Sequence, residues 1–310
     1  MSGKEIAAAG RPLLFSLRDH PLAESLVQAI DGERGVVDAR TFPDGESYLR
    51  ISTPVSGRPC LVLADLSHPN EKYLPLLFLL ETLREMGAAC VGLVAPYLSY
   101  MRQDRRFMEG EAVTSRLFAR SLSRHVDWLV TVDPHLHRYH ALDEIYSVPC
   151  SVVQGAPALA HWLKDQHNIF LVGPDAESKQ WVSGIAAFSG QPFVIGEKQR
   201  SGDREVRVTL PDIASFSGHT AVIIDDVISS GQTVLECTKV LRAGGIDTIY
   251  CVAVHGIFAD HADRMLLQAG LDRLVTTNTI PHSSNAIDIT PLLVAPVVAF
   301  LAQPYTPSGS

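Results

Sequence analysis

Long hydrophobic runs are missing from this sequence. The longest apolar segments are 76–80 and, interrupted only by Pro296, 292–302. A helix that crosses a bilayer needs roughly 18–20 such residues. The first residues have neither a long apolar core nor a basic start followed by a cleavage pattern, so a secretory signal is not expected. The sequence therefore predicts no association with a membrane.

Positive charge is scarce relative to negative charge. Lys and Arg together number 26 and Asp and Glu 34, which gives a formal net charge of −8. Such a chain lacks the broad positive surface on which nonspecific nucleic-acid binding depends. The expected partners are therefore small molecules and other protein subunits, and not nucleic acid.

Cysteine is rare and follows no recognisable spacing. The five cysteines are Cys60, Cys90, Cys150, Cys237 and Cys251. They are odd in number, contain no C-x-x-C pair and lie mostly in apolar stretches, which is typical of buried reduced thiols. The expected location is a reducing cytoplasm.

The sequence does contain a recurring unit in which a glycine separates an amphipathic helix from an apolar strand. The three clearest copies have their strands at 90–94, 249–254 and 271–275. Continuous apolar strands of this kind are typical of parallel sheets covered by helices on both faces. The 310 residues therefore predict an α/β protein of two similar halves, with the boundary within 148–157.

Several of the predicted strands end in aspartate. Asp133, Asp175, Asp225 and Asp226 each follow an apolar run. In an open α/β sheet, ligands bind beyond the carboxyl ends of the strands, so these carboxylates lie on the expected ligand side. Each of them alone is equally compatible with capping the helix that follows.

The segment 221–245 combines a buried strand, two adjacent carboxylates and a turn of small residues. The first amides of the following helix, with the hydroxyls of Ser229, Ser230 and Thr233, would form a phosphate site. Asp225 and Asp226 would then lie one sugar length away, where carboxylates suit ribose hydroxyls or Mg²⁺. The alternative is a capped helix preceded by a solvated pair of acids.

Two short segments concentrate positive charge. Arg102, Arg105 and Arg106 lie close together, as a triphosphate site requires, although a solvated basic loop has the same composition. Lys198 and Arg200 alternate on an extended stretch before a Gly-Asp turn. A mobile loop with two cations could deliver charge to a transferring phosphoryl group, and the alternative is a charged hairpin.

A third segment, residues 133–140, is rich in histidine. His135 and His137 would alternate onto one strand face, as in metallohydrolases with two histidines one residue apart. The remaining ligands of such a site are missing at any recognisable spacing.

Segment 221–245 resembles the binding motif for 5-phosphoribosyl 1-diphosphate (PRPP) in type I phosphoribosyltransferases and ribose-phosphate diphosphokinases. Further segments resemble the diphosphokinase family in its own order, over about residues 42–290. They are FPDGESYLRI (42–51), PYLSYMRQDRRFMEGEAV (96–113), TVDPHLHR (131–138), GPDA (173–176), EKQR (197–200), VHGIF (254–258) and TNTIP (276–280).

This resemblance implies two phosphoribosyltransferase-like domains, each a mainly parallel sheet flanked by helices. The first would comprise 1–147 with about 291–310 and bind ATP, and the second, 148–290, would bind ribose 5-phosphate. The implied reaction transfers the diphosphoryl group of ATP to the anomeric hydroxyl of ribose 5-phosphate, giving PRPP and AMP.

The resemblance also implies roles for individual residues and makes Mg²⁺ the expected cofactor. The ATP-binding residues would be Arg102, Gln103 and His135, with Phe42, Asp44 and Glu46 of a neighbouring subunit. The ribose 5-phosphate site would comprise Asp225, Asp226, Ser229, Ser230, Gly231, Gln232 and Thr233. Mg²⁺ would lie near His135, a second ion could lie by Asp175, and the catalytic residues would be Lys198, Arg200 and His135. A shared ATP site implies a homo-oligomer, a dimer or a hexamer.

Two departures from the family pattern leave alternatives open. Glu177 follows GPDA where the family usually has glycine, and Gln232 lies in a phosphate loop where smaller residues are commoner. Either change could alter the preferred sugar phosphate or weaken activity. The alternatives are therefore a non-catalytic regulatory paralogue of such a synthetase, or a phosphoribosyltransferase that consumes PRPP.

Overall fold

The computed structural model describes residues 10–136, 138–201 and 205–304, with the side chains of 198–206 outside the description. The chain divides into two units, Met1–Val153 with Thr290–Ser310 and Gln154–Ile289. The division falls between Val153 and Gln154, within the segment 148–157, because Cys150–Val153 pairs with Trp128–Val132 as a strand of the first sheet.

The first unit contains a six-stranded sheet whose neighbouring strands are all parallel. Its strands in chain order are β1 (Leu13–Phe15), β2 (Glu33–Arg34), β5 (Pro59–Leu63), β6 (Cys90–Ala95), β7 (Trp128–Val132) and β8 (Cys150–Val153), with an antiparallel hairpin of β3 (Val37–Thr41) and β4 (Ser47–Ile51) after β2. The spatial order is β2-β1-β5-β6-β7-β8.

The second unit contains a sheet of the same kind. Its strands are β9 (Ile169–Gly173), β10 (Phe193–Ile195), β13 (Thr220–Ile228), β14 (Thr248–Gly256), β15 (Arg273–Thr277) and β16 (Asn285–Ile287), with an antiparallel hairpin of β11 (Glu197–Ser201) and β12 (Glu205–Thr209) after β10. The spatial order is β10-β9-β13-β14-β15-β16.

The α-helices connect these strands. In chain order they are α1 (Ala23–Ala29), α2 (Asn70–Glu85), α3 (Thr114–Leu122), α4 (Ala156–Lys164), α5 (Lys179–Ser189), α6 (Gln232–Ala243), α7 (Ala262–Gln268) and α8 (Thr290–Leu301). Within the described residues, no helix combines the length and the apolar character needed to cross a bilayer. The helix and strand pairs predicted from the glycine-punctuated pattern are confirmed as α2 with β6, α6 with β14 and α7 with β15.

The two units have the same topology. In each, the first two strands lie at one edge, a hairpin follows, and four further strands add one after another on the other side. The central strands β5, β6 and β7 are buried along their whole length, as helices on both faces of a parallel sheet require. The predicted α/β fold with two similar domains is confirmed.

The last helix of the first unit comes from outside the main run of that unit's chain. α8 follows β16 along the chain but packs on α1, β7 and β8 of the first unit, whereas α4 follows β8 and packs on α5, β14 and β16 of the second. In the first unit, the ring of Phe300 stacks on Trp128 with centroids 5.1 Å apart. The strip after about residue 290 thus completes the core of the first unit.

Candidate active site

The carboxyl end of β13 delivers two carboxylates into a turn of small residues. Asp225 and Asp226 are half-buried, Ser229 is half-buried and Ser230 is exposed. The carboxylate of Asp225 accepts the amide of Asp226 at 3.0 Å, and that of Asp226 accepts the amide of Val227 at 2.8 Å. These bonds hold both side chains close to the strand end.

The turn between β13 and α6 is held from behind by the segment that follows β14. The carbonyl of Ile228 accepts the amides of Ile257 and Phe258 at 2.9 and 3.1 Å, and the carbonyl of Ser229 accepts that of Ala259 at 3.0 Å. These hydrogen bonds fix the turn through its carbonyl groups and do not involve the first amides of α6. Those amides have no hydrogen-bond partner within the helix itself.

Gly231 directly precedes α6 and has a conformation that glycine adopts most easily. Its φ is +74°, and a Cβ there would lie 3.3 Å from Leu266 and Met265 of α7. A residue without a side chain cannot cap the helix, so the positive end of α6 stays available to an anion. Gln232, the first helical residue, is exposed and leaves this end of the helix open.

The environment of Asp225 also affects a neighbouring thiol. β13 and β14 pair so that Ile223 lies opposite Cys251 and Asp225 opposite Ala253. Burial, together with the charge of Asp225, raises the pKa of the Cys251 thiol well above its usual value. Cys251 is therefore a neutral core residue and not a reactive group of this site.

Asp175 takes part in starting a helix. Its carboxylate accepts the amide of Ser178 at 2.9 Å, and the hydroxyl of Ser178 donates to the Asp175 carbonyl at 2.6 Å. Ser178 directly precedes α5, so the Asp175 carboxylate accepts an amide at the start of this helix. This agrees with the helix-capping role that the sequence left open for Asp175. Glu177, the departure from the family pattern, is exposed beside it.

The arginine-rich segment of the first unit forms a loop between β6 and α3. Arg102 is exposed and Gln103 is half-buried, and the side-chain carbonyl of Gln103 accepts the hydroxyl of Thr114 at 3.0 Å. The guanidinium of Arg105 lies 4.5 Å from the ring centre of Phe107, and Arg106 donates to the carbonyl of Glu111 at 2.8 Å.

The structure corrects the predicted strand face for His135 and His137. β7 ends at Val132, and both Asp133 and His135 have positive φ values, 36° and 54°. The backbone therefore turns instead of alternating, while His137 lies outside the described residues. Non-glycine residues in this region cost of order 1–3 kcal/mol each and cluster at functional sites.

The hairpin of β3 and β4 presents Phe42, Asp44 and Glu46 in its turn, and all three are exposed. The amide of Phe42 donates to the carbonyl of Glu46 at 2.7 Å, and the carboxylate of Asp44 accepts the amide of Glu46 at 3.2 Å. The guanidinium of Arg40 lies 4.9 Å from the ring centre of Phe42 and 4.6 Å from that of Tyr48, which orders the aromatic side of the hairpin.

Lys198 and Arg200 belong to β11, the first strand of the hairpin in the second unit. Their backbone partners across the hairpin are Val208 and Val206. The structure thus places them on alternate positions of an extended strand, and their side chains and residues 202–204 lie outside the described part of the chain. The segment therefore forms a hairpin, which the sequence analysis gave as the alternative to a loop. This hairpin corresponds in the topology to β3 and β4 of the first unit.

Sequence reasoning missed Tyr139, whose hydroxyl joins three segments of the first unit. It lies 3.2 Å from the hydroxyl of Ser115, from Nε of Arg116 and from the carbonyl of Asp104. Nothing in the spacing of these residues signals the contact, because the partners lie 23 to 35 positions away.

Comparison with known proteins gives matches over most of the chain. Residues 13–125 match the family described as the N-terminal domain of ribose phosphate pyrophosphokinase, and residues 205–303 match the phosphoribosyl synthetase-associated domain. A ribose-phosphate pyrophosphokinase of Methanopyrus kandleri is 31% identical over 87% of this chain and 92% of its own length. One of Sulfurisphaera tokodaii is 33% identical over 85% of this chain and 90% of its own length.

A solved structure is similar in fold as well as in sequence. The phosphoribosylpyrophosphate synthetase from Mycobacterium smegmatis superposes with a TM-score of 0.78 and 25% identity, covering 94% of this chain and 99% of that one. The match extends over both units and the two domain families found in the sequence.

Proposed function

The chain belongs to the ribose-phosphate pyrophosphokinase family, and we propose that it carries out the reaction of that family on the residues described above. In this reaction the anomeric hydroxyl of ribose 5-phosphate attacks the β-phosphorus of ATP in line, and AMP leaves. PRPP is the other product. Because no covalent enzyme intermediate is needed, positioning and electrostatic stabilisation supply the acceleration.

The turn between β13 and α6 carries the assignment of the sugar-phosphate site. It joins two strand-end carboxylates, an uncapped helix start at Gly231 and a backbone fixed from behind at Ile228 and Ser229. In the proposal, residues 229–233 bind the 5-phosphate through their amides and hydroxyls, while Asp225 and Asp226 bind the ribose hydroxyls. Gln232 would lie at the rim, where its exposed side chain leaves the amides accessible.

The proposed ATP site uses the first unit. Arg102 and Gln103 lie on the loop before α3, and His135 lies just beyond β7. Arginine suits the triphosphate because its planar donors match phosphate oxygens. Phe42, Asp44 and Glu46 would line the adenine pocket of a neighbouring subunit, and their exposure on the hairpin turn is compatible with that role. We therefore propose a homo-oligomer, a dimer or a hexamer.

The residues of the site fit Mg²⁺. The described part of the chain contains no group of three or more His, Cys, Asp or Glu that could hold a metal by itself. This suits Mg²⁺, which keeps several waters and binds through one or two protein groups together with substrate phosphates. His135 is the proposed protein group for one ion and Asp175 for a second, and Mg²⁺ would neutralise charge on the phosphates when bound.

Lys198 and Arg200 are proposed to neutralise charge that develops during transfer. They are alternate residues of an antiparallel hairpin that follows an edge strand of the second sheet. Cations at such positions can stabilise the charge on the phosphoryl group once both substrates are bound. The five cysteines are odd in number and contain no C-x-x-C pair, and we therefore also propose that the enzyme works in a reducing cytoplasm.

The decisive experiment incubates the purified chain with Mg²⁺, ATP and ribose 5-phosphate and identifies the products by mass spectrometry. AMP together with PRPP is the expected result. ADP with ribose 1,5-bisphosphate would indicate an ordinary kinase, and absence of turnover would favour the regulatory paralogue. A phosphoribosyltransferase would instead consume added PRPP in the presence of a nucleobase.

A further inference from the structure

The hydroxyl of Tyr139 forms a hydrogen-bonded node inside the first unit. A phenol has one donor and two acceptor positions, and all three are matched here. Its proton goes to the carbonyl of Asp104, while Nε of Arg116 and the hydroxyl of Ser115 donate to its oxygen, each over 3.2 Å. The node is enclosed, because Tyr139 is 8% and Ser115 0% exposed.

The three partners lie on separate segments that converge at this point. Asp104 belongs to the loop that carries Arg102 and Gln103, Ser115 and Arg116 form the first turn of α3, and Tyr139 follows His135 by four residues. Outside this node, the described contacts between the loop and the segment after β7 include the approach of Nε of Arg138 to the Asp104 carboxylate at 3.9 Å.

The loop is also fastened to the start of α3. The amide of Ser115 donates to the carbonyl of Gln103 at 3.3 Å, and the hydroxyl of Thr114 donates to the Gln103 side chain. The loop and α3 are thus hydrogen-bonded to each other, and Tyr139 connects the segment after β7 to both of them. Tyr139 thereby links the segment that follows His135 to the loop that carries Arg102 and Gln103.

We propose that Tyr139 is a positioning residue for the nucleotide triphosphate, acting through the Asp104 carbonyl on Arg102 and Gln103. This inference rests on the proposed ATP site. Burial makes the loss of a bond costly, because the buried Asp104 carbonyl or Ser115 hydroxyl that loses its partner must find another by shifting its segment. The affected ligand is the nucleotide, since Asp225, Asp226 and residues 229–233 belong to the other unit.

The test compares Tyr139→Phe with a matched control, Tyr146→Phe. Tyr146 is 3% exposed and lies in the same unit, and its hydroxyl is buried without a hydrogen-bond partner in the described structure. Both changes delete one buried hydroxyl and keep the ring. The difference between them therefore isolates the three bonds of the node.

Tyr139→Phe is expected to raise the KM for ATP and the Kd for a nonhydrolysable ATP analogue about tenfold, the equivalent of ~1.4 kcal/mol. The KM for ribose 5-phosphate should change less than about twofold. Tyr146→Phe should leave all three constants unchanged. Arg116→Met, which removes one bond of the node from a surface position, should shift the ATP constants in the same direction by less.

The proposal is overturned if Tyr139→Phe matches Tyr146→Phe in nucleotide binding, or if it weakens both substrates equally. Should Tyr139→Phe fail to fold, Arg116→Met decides alone, and an unchanged analogue Kd in that variant overturns the proposal. Loss of the proposed function is a separate result, seen as wild-type protein that forms no PRPP, and the analogue Kd still tests Tyr139 in that case.

Discussion

The ammonium group of Lys72 lies 2.5 Å from the carboxylate of Asp65, and both side chains are more than four-fifths buried. The same carboxylate accepts the amide of Ser67 at 2.8 Å, and Lys72 also donates to the Ser67 hydroxyl. Asp65 lies in the connection between β5 and α2, and Lys72 lies in the first turn of α2. This connection corresponds in the topology to the one between β13 and α6. In the first unit, the aspartate of this connection is thus paired with a cation of the chain itself.

One ribose 5-phosphate site per chain is the expected consequence of this pairing. A calorimetric titration of the purified protein with ribose 5-phosphate should give a stoichiometry near one. Asp225→Ala should weaken that binding by tenfold or more and leave the analogue Kd for ATP within about twofold. Asp65→Asn serves as the control and should leave the sugar phosphate bound. Equal losses for both ligands in Asp225→Ala would contradict the assignment.

Lys198→Ala should lower kcat by roughly 10²–10³, the scale for removing one group that stabilises charge in the transition state. The KM for ATP should change little, because the lysine is proposed to act during transfer and not in binding. Steady-state kinetics checks both parameters, and Lys239→Ala, at an exposed lysine of α6, is the control. Turnover at the wild-type rate would remove Lys198 from the mechanism.

Gly92 and Gly184 should respond in opposite ways to alanine. A Cβ at Gly92, in the centre of β6, would lie 2.0 Å from ring atoms of Trp128, whereas one at Gly184, within α5, meets nothing within 4 Å. Gly92→Ala should cost about 3 kcal/mol of unfolding free energy, since a buried ring must move. Gly184→Ala should add about 0.5–1 kcal/mol. Urea unfolding measures both, and a neutral Gly92→Ala would contradict the packing described.

The stability of the protein should fall above pH 9. Burial raises the pKa of Cys60, with Cys90 adding to the effect, from 9.0 to about 12. Below pH 9 this thiol is neutral in both states. Between pH 9 and 12 only the unfolded chain ionises, so the unfolding free energy falls by up to ~1.4 kcal/mol per pH unit for each such thiol. Urea unfolding at a series of pH values between about 8.5 and 10.5 measures this dependence. In Cys60→Ala the unfolding free energy should fall less steeply with pH than in the wild type, and an equally steep fall would contradict the prediction.

The sequence predicted the centres of both sheets and missed their edges. β5, β6, β7, β9, β13 and β14 are continuous apolar runs, and such runs are recognisable without knowing their neighbours. β2 has two residues and β16 three, too few for a pattern. Their strand geometry depends on the neighbour already in place. The β13 to α6 turn was predictable for the opposite reason, since its carboxylates, glycine and helix start are adjacent in the chain.

Contacts between distant residues could not be predicted. His135 follows β7 in a left-handed conformation, which local propensity does not favour and which the surrounding structure imposes. Tyr139 and Asp104 are 35 positions apart, and Asp65 and Lys72 resemble an ordinary surface pair until burial is known. The role of Asp175 could not be predicted either, because helix capping and metal binding both place an aspartate at the end of a strand.

The position of α8 makes the order of synthesis matter for folding. The ring of Phe300 covers Trp128, so the core of the first unit is incomplete while the ribosome is still adding the last strands of the second. The second unit has no such delay, because α4 precedes its sheet and all its elements lie in one continuous run of chain. The second unit can therefore complete its folding first, although it is translated later. The first unit depends on contacts between α1 and α8, which lie near opposite ends of the chain.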